Sequence, residues 1–176
     1  MKTHVLMISK KFPATHERRG ANTYFLEKIA RALIPSGVMP KETLSMLDHD
    51  IYLNCYQKIH TIRANYPMWR ENFDEIDNGD ACLSVRHWSG LPYRSKQVEF
   101  VRLTRDDGIG LQKLKFEKDE LGRLSIMLNI IDGKYASTTQ TVARNDGLAI
   151  RDFIHWFKDY NLDEPKAIIH LTPFRY

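Results

Sequence analysis

Within NDGLAIRDFIHWFKDYN (residues 145–161), Ile150, Phe153, Ile154 and Phe157 recur at i, i+3, i+4 and i+7. That spacing puts them on one side of a helix, which then carries an apolar face that must be covered. Most of the remaining chain reads as short apolar runs or with period two. One strong amphipathic helix among many short strands predicts an α+β fold, with the helix at 148–159 packed against a sheet.

The other elements follow from local chemistry. THVLMIS (3–9) is a β-rich apolar run and reads as a buried strand, and KKFPATHERRG after it reads as a loop. NTYFLEKIARAL sets Phe25, Ile29 and Leu33 at helical spacing, with Asn22 or Thr23 as cap and Pro35 and Gly37 as stops. KETLSMLDHD supports a short helix. Pro67 suits a first helical turn, Trp69, Phe73 and Ile76 share a face, and Asn78-Gly79 ends that helix. Ala81, Leu83 and Val85 alternate with Cys82, Ser84 and Arg86, as in a half-buried strand. RSKQVEFVRL is a further strand. Two more flank the turn KDELGR, a turn falls at Asp132-Gly133, and KAIIHL is the last strand. No repeat, low-complexity tract or linker divides these elements, so one domain over 1–176 is expected.

The formal net charge is only +4, but it is unevenly spread. Residues 1–31 hold seven Lys/Arg against Glu17 and Glu27, and residues 84–105 hold Arg86, Arg94, Lys96, Arg102 and Arg105 against Glu99. If the two segments converge, Lys10, Lys11, Arg18, Arg19, Arg86, Arg94 and Lys96 form one phosphate-attracting side. Trp88 and Tyr93 flank the turn SGLP beside Arg94 and Lys96. They either stack on a base, with the cations on phosphates, or pack the turn against the body of the fold.

Several chemistries are poorly served. Seven histidines and two cysteines make no zinc spacing, and no Gly-rich phosphate loop occurs, so neither a metal nor a cofactor is expected. No apolar run approaches the ~20 residues of a membrane span, and no leader pattern is present. The chain therefore reads as cytoplasmic, with Cys55 and Cys82 as free thiols.

The stretch KIHTIR (58–63) packs a lysine, a threonine and an arginine into six residues. Together with IDNGDACLSV (76–85), NDGLAIRDFIHWF (145–157) and AIIHL (167–171), it resembles the ASCH superfamily over about residues 55–105 and 140–174. The resemblance implies a PUA-like fold, a curved mixed or antiparallel β-barrel with flanking helices. The first 50 or so residues would be an N-terminal extension, and about 111–131 a β-hairpin insert. It also implies an RNA, nucleoside or nucleotide partner. In a branch of that family that hydrolyses the acetyl amide of N(4)-acetylcytidine, the catalytic lysine, threonine and acid fall on Lys58, Thr61 and Asp146, and the family arginine on Arg63. Two positions depart from the pattern: Tyr56 stands where a glycine is usual, and Asp146 is one methylene shorter than the usual glutamate.

In a strand, residues two apart share a face, so Thr61 and Arg63 point one way. Lys58 converges with Thr61 only if it sits in a turn before the strand. A lysine desolvated there would have a lowered pKa and could act as a base. His60 faces away from Thr61 and reads as a packed or exposed histidine. Asp146, just ahead of the amphipathic helix, reads as its N-cap. Arg63 either meets a phosphate or pairs with Asp74, Asp77 or Asp80. Three functions are compatible with this pattern: an RNA- or modified-nucleoside-binding domain with Lys58, Thr61, Arg63 and Asp146 lining its cleft, an amidohydrolase using the same cleft, and a protein-interaction module with a basic surface.

Overall fold

A computed structural model describes all 176 residues. The alternating strand is β3 (Ala81–Trp88), and it is paired on both edges. On one side lies β1 (Lys2–Met7), in parallel, running from Lys2↔Ala81 to Met7↔Arg86. On the other lies β4 (Gln97–Leu103), antiparallel, with a register shift between Val85 and Arg86. A second, wholly antiparallel sheet is ordered β2 (His60–Arg63), β8 (Lys166–His170), β5 (Gly110–Lys115), β6 (Leu128–Ile131) and β7 (Lys134–Thr138).

The fold is α+β with two sheets, and it contains no closed barrel. No strand pair joins the two: the outer edges of β1 and β4 pair with nothing in the second sheet, and β2 reaches the end of β1 only through the Arg63 side chain. The segments expected as additions contribute strands to both sheets. β5 is an inner strand, hydrogen-bonded to β8 and β6. β1 closes one edge of the first sheet, and α1 (Phe25–Leu33) buries Phe25, Leu26, Ile29, Ala30 and Leu33.

The helices sit between and beside the sheets. Those not yet named are α2 (His49–Asn54), α3 (Tyr66–Asp77), α4 (Thr139–Asn145) and α5 (Ile150–Phe157). A 3-10 turn over Lys41–Met46 precedes α2. α3 begins where Asn65 accepts a hydrogen bond from Met68 N and buries Trp69, Phe73 and Ile76. α5 packs Phe153 and Phe157 on Phe116, which follows β5. One hydrophobic cluster runs from Leu6 and Ile8 through Phe73 and Leu83 to Ile168 and Ile169, so both sheets share a core. No helix is long and apolar enough to cross a membrane.

The helix expected at 148–159 is present as α5, and another helix, not expected from the sequence, precedes it. That helix, α4, has only Val142 and Ala143 as buried apolar residues, too few to show a period in the sequence. It ends at Asp146, which is its C-cap and not the N-cap of α5. Gly147 at φ +81° reverses the chain, and Leu148 N donates to Ala143 O five residues back. The carboxylate of Asp146 is thereby left free to turn inward.

Candidate functional site

Two places collect the residues singled out above. The first is buried. β2 starts at His60, yet residues 58 and 59 already run extended: Lys58 N donates to Lys28 O and Ile59 N to Asn145 O. Alternation therefore holds from Lys58 onward. Lys58 and His60 share one face, and Thr61 and Arg63 share the other.

On the first face, Lys58 Nζ donates to the backbone carbonyl of Asp146 and, at 2.8 Å, to its Oδ1. The ammonium also lies 4.2 Å from the centroid of the Phe25 ring. Lys58 is only 1% exposed. His60 Nδ1 stands 3.7 Å from the same Oδ1, and its Nε2 is 2.8 Å from the Tyr176 hydroxyl. That hydroxyl accepts from Asn145 Nδ2 at 2.9 Å, so its own proton is available to His60 Nε2. This arrangement assigns the imidazole proton to Nδ1, facing Asp146. Sequence reasoning missed His60 as a member, although the period-two rule that paired Thr61 with Arg63 also pairs His60 with Lys58.

Burial pushes the Lys58 ammonium down to about 8 from 10.5, and the Asp146 carboxylate limits the fall. Burial works to raise the Asp146 carboxyl, but Lys58 and His60 hold it below its ordinary 3.8. Burial also lowers His60, against the pull of Asp146. Between about pH 8 and 10.5 the unfolded chain retains a proton that folded Lys58 has lost, so this lysine's contribution to stability rises with pH across that window. The side-chain ¹³Cε resonance of Lys58, assigned by its loss in Lys58→Met, should titrate near pH 8 while exposed lysines titrate near 10.5. A midpoint at the ordinary lysine value would contradict the buried geometry.

Thr61 is not part of this cluster. It is buried, and its hydroxyl accepts from Arg63 Nη1 at 2.8 Å, sharing no hydrogen bond with Lys58 or Asp146. Arg63 pairs with none of Asp74, Asp77 and Asp80: its guanidinium also holds Ile62 O at 2.8 Å and Met7 O at 2.6 Å. It thereby ties β2 to the end of β1.

The second place is open. Because β1 and β3 run parallel, their C-terminal ends lie side by side, and Ile8 N donates to Arg86 O. The loop after β1 and the turn after β3 must emerge together. The loop folds back on itself, with Phe12 N to Ala21 O, Gly20 N to Phe12 O and Thr23 N to Lys10 O. The turn is closed by Ser89 N to Lys96 O and Gly90 N to Ser95 Oγ. Between them is a groove of about 730 Å³ whose walls include Lys10, Lys11, Arg19, Phe12, Trp88 and Pro92, with no carboxylate among them. None of the three cations forms an ion pair or a side-chain hydrogen bond. Tyr93, 90% exposed and at φ 61°, leans on Trp88 with ring centroids 5.4 Å apart.

The two basic segments thus converge, though not all their members do. Arg18 leaves the groove for Asp152 Oδ2 at 2.6 Å, and Arg86 is held by Ser84 Oγ at 2.8 Å and faces Glu99 at 3.8 Å. Arg94 and Lys96 lie exposed on the adjoining turn without lining the groove. Cys82 is buried and Cys55 half-buried, both as free thiols. Comparison of the chain with protein-family models, curated proteins and solved structures finds no match.

Proposed function

We propose that this chain is an ASCH-like, PUA-related protein that binds single-stranded RNA or a modified nucleoside in the groove between the 8–20 loop and the 89–96 turn. One observation carries the reading: Trp88 shares a groove with three unpaired cations and no carboxylate. An aromatic face takes a base of any sequence, while lysine and arginine beside it take the flanking phosphates. Tyr93 offers a second ring, and Arg94 and Lys96 extend the positive surface beyond the groove. The buried Lys58–Asp146 pair supports this site from behind. Lys58 packs on Phe25, Phe25 on Trp156, and Trp156 on Phe12 in the groove wall.

A second reading, hydrolysis of the amide of N(4)-acetylcytidine, is favoured by one feature, a lysine with a lowered pKa in contact with an acid. The nucleophile it requires is missing from the contact, because Thr61 lies on the opposite face of the strand. An oligoribonucleotide titrated by fluorescence anisotropy, with free nucleosides as competitors, tests the leading reading. Nucleosides should displace the RNA, which they would not do to an acidic protein partner. With N(4)-acetylcytidine the binding reading predicts competition without release of cytidine. Turnover that is abolished by Lys58→Met and by Thr61→Ala would replace it with the hydrolase reading.

A further inference from the structure

The chain has thirteen arginines. Nine of them spend their guanidinium on a carboxylate, a carbonyl or a hydroxyl inside the fold. The four that do not are Arg19, Arg94, Arg31 and Arg144. The first two belong to the RNA groove and its border. The other two line a different pocket, of about 600 Å³, between α1, the 55–59 segment and α4.

This pocket is lined mostly by polar side chains, with Cys55, Tyr56 and Ile59 also in its walls. Arg31 comes from the last turn of α1 and Arg144 from the last turn of α4, and Tyr56, Gln57, Gln140 and Thr141 stand around them. No aspartate or glutamate lines it. Lys28, whose ammonium is 4.9 Å from the centre of the Tyr56 ring, adds positive charge at its edge. Neither guanidinium has an ion-pair or hydrogen-bond partner, although Arg31 lies over the Tyr52 ring at 5.5 Å; such a planar fork is suited to gripping two oxygens of a phosphate at once. Hydroxyl and amide donors around two such forks would satisfy the remaining oxygens.

We propose that this pocket binds the terminal phosphate or pyrophosphate group of a small phosphorylated molecule, independently of the RNA groove. Arg31 and Arg144 are its anchors, and the Tyr56 and Thr141 hydroxyls complete the donor set. The phosphate can come from the free inorganic ion or from a nucleoside 5′-monophosphate, and the two sources are separated by comparing their affinities.

Isothermal titration at constant ionic strength, with inorganic pyrophosphate, inorganic phosphate and cytidine 5′-monophosphate as probes, tests this. Pyrophosphate should bind saturably, and Arg31→Gln and Arg144→Gln should each weaken it by about tenfold or more, as expected for loss of a charge-assisted contact. Both arginines have solvent on one side, so the variants should keep the parent melting temperature. The pair Lys10→Gln, Lys11→Gln should leave pyrophosphate binding unchanged while weakening RNA. Tighter binding of the nucleotide than of phosphate would place a nucleoside in the pocket with it, and equal binding would assign the free ion. Absence of saturable binding by every probe would overturn the proposal, and so would a loss produced by the lysine pair and not by the arginines.

Discussion

Replacing Asp146 by alanine should destabilise the fold by about 3–5 kcal/mol at pH 6, because it leaves a buried ammonium without its counter-charge. For a chain of this size that lowers the melting temperature by roughly 10 °C. The loss is specific to the charge left behind. Lys58 in the variant escapes by shedding its proton, so the cost should shrink as pH rises from 6 to 9, where neutral amine is affordable. The double variant Lys58→Met, Asp146→Leu removes both charges and should recover most of the stability, as an apolar replacement of a buried pair often does. Urea unfolding of the three proteins at the two pH values decides this. An alanine variant within about 1 kcal/mol of the parent at pH 6 would mean that the pair is solvated, contrary to the contacts around Lys58.

Trp88→Ala should weaken single-stranded RNA by between about fivefold and 150-fold, the range expected for removing one base-stacking platform. The indole is half-exposed at the end of β3, so stability should change little. Trp88→Phe keeps a ring in place and should retain most of the affinity. If alanine and phenylalanine behaved alike and both bound as the parent does, Trp88 would be packing the turn and not facing a ligand.

Local chemistry made much of this molecule legible. The alternation in ACLSVRHW and the spacing in IRDFIHWF specify β3 and α5 because each segment buries one face. Period two was also enough to separate Lys58 from Thr61, provided the chain stays extended before His60. Backbone bonds to Lys28 and Asn145 keep it so, and those partners lie 30 and 86 residues away, out of reach of any local reading. The same holds for Asp146. Its role depends on Gly147 ending α4, a helix too short to announce itself. The basic groove was visible as two charged segments, but their meeting rests on the parallel pairing of β1 with β3. Which cations would remain free could not be read at all: Arg18 and Arg86 are as basic as Lys10 and Arg19, and only the folded neighbours Asp152, Ser84 and Glu99 remove them.

The central claim is that Lys10 and Lys11 meet the phosphates of a single strand laid along the groove. It is tested most directly by measuring RNA affinity as a function of salt for the parent and for Lys10→Ala, Lys11→Ala. Each phosphate contact on a single strand contributes about 0.7 to the slope of log K against log salt. The account predicts that the double variant binds more weakly and that its slope is shallower by about 1.4. An unchanged slope, with unchanged affinity, would show that the phosphates lie elsewhere and would contradict it.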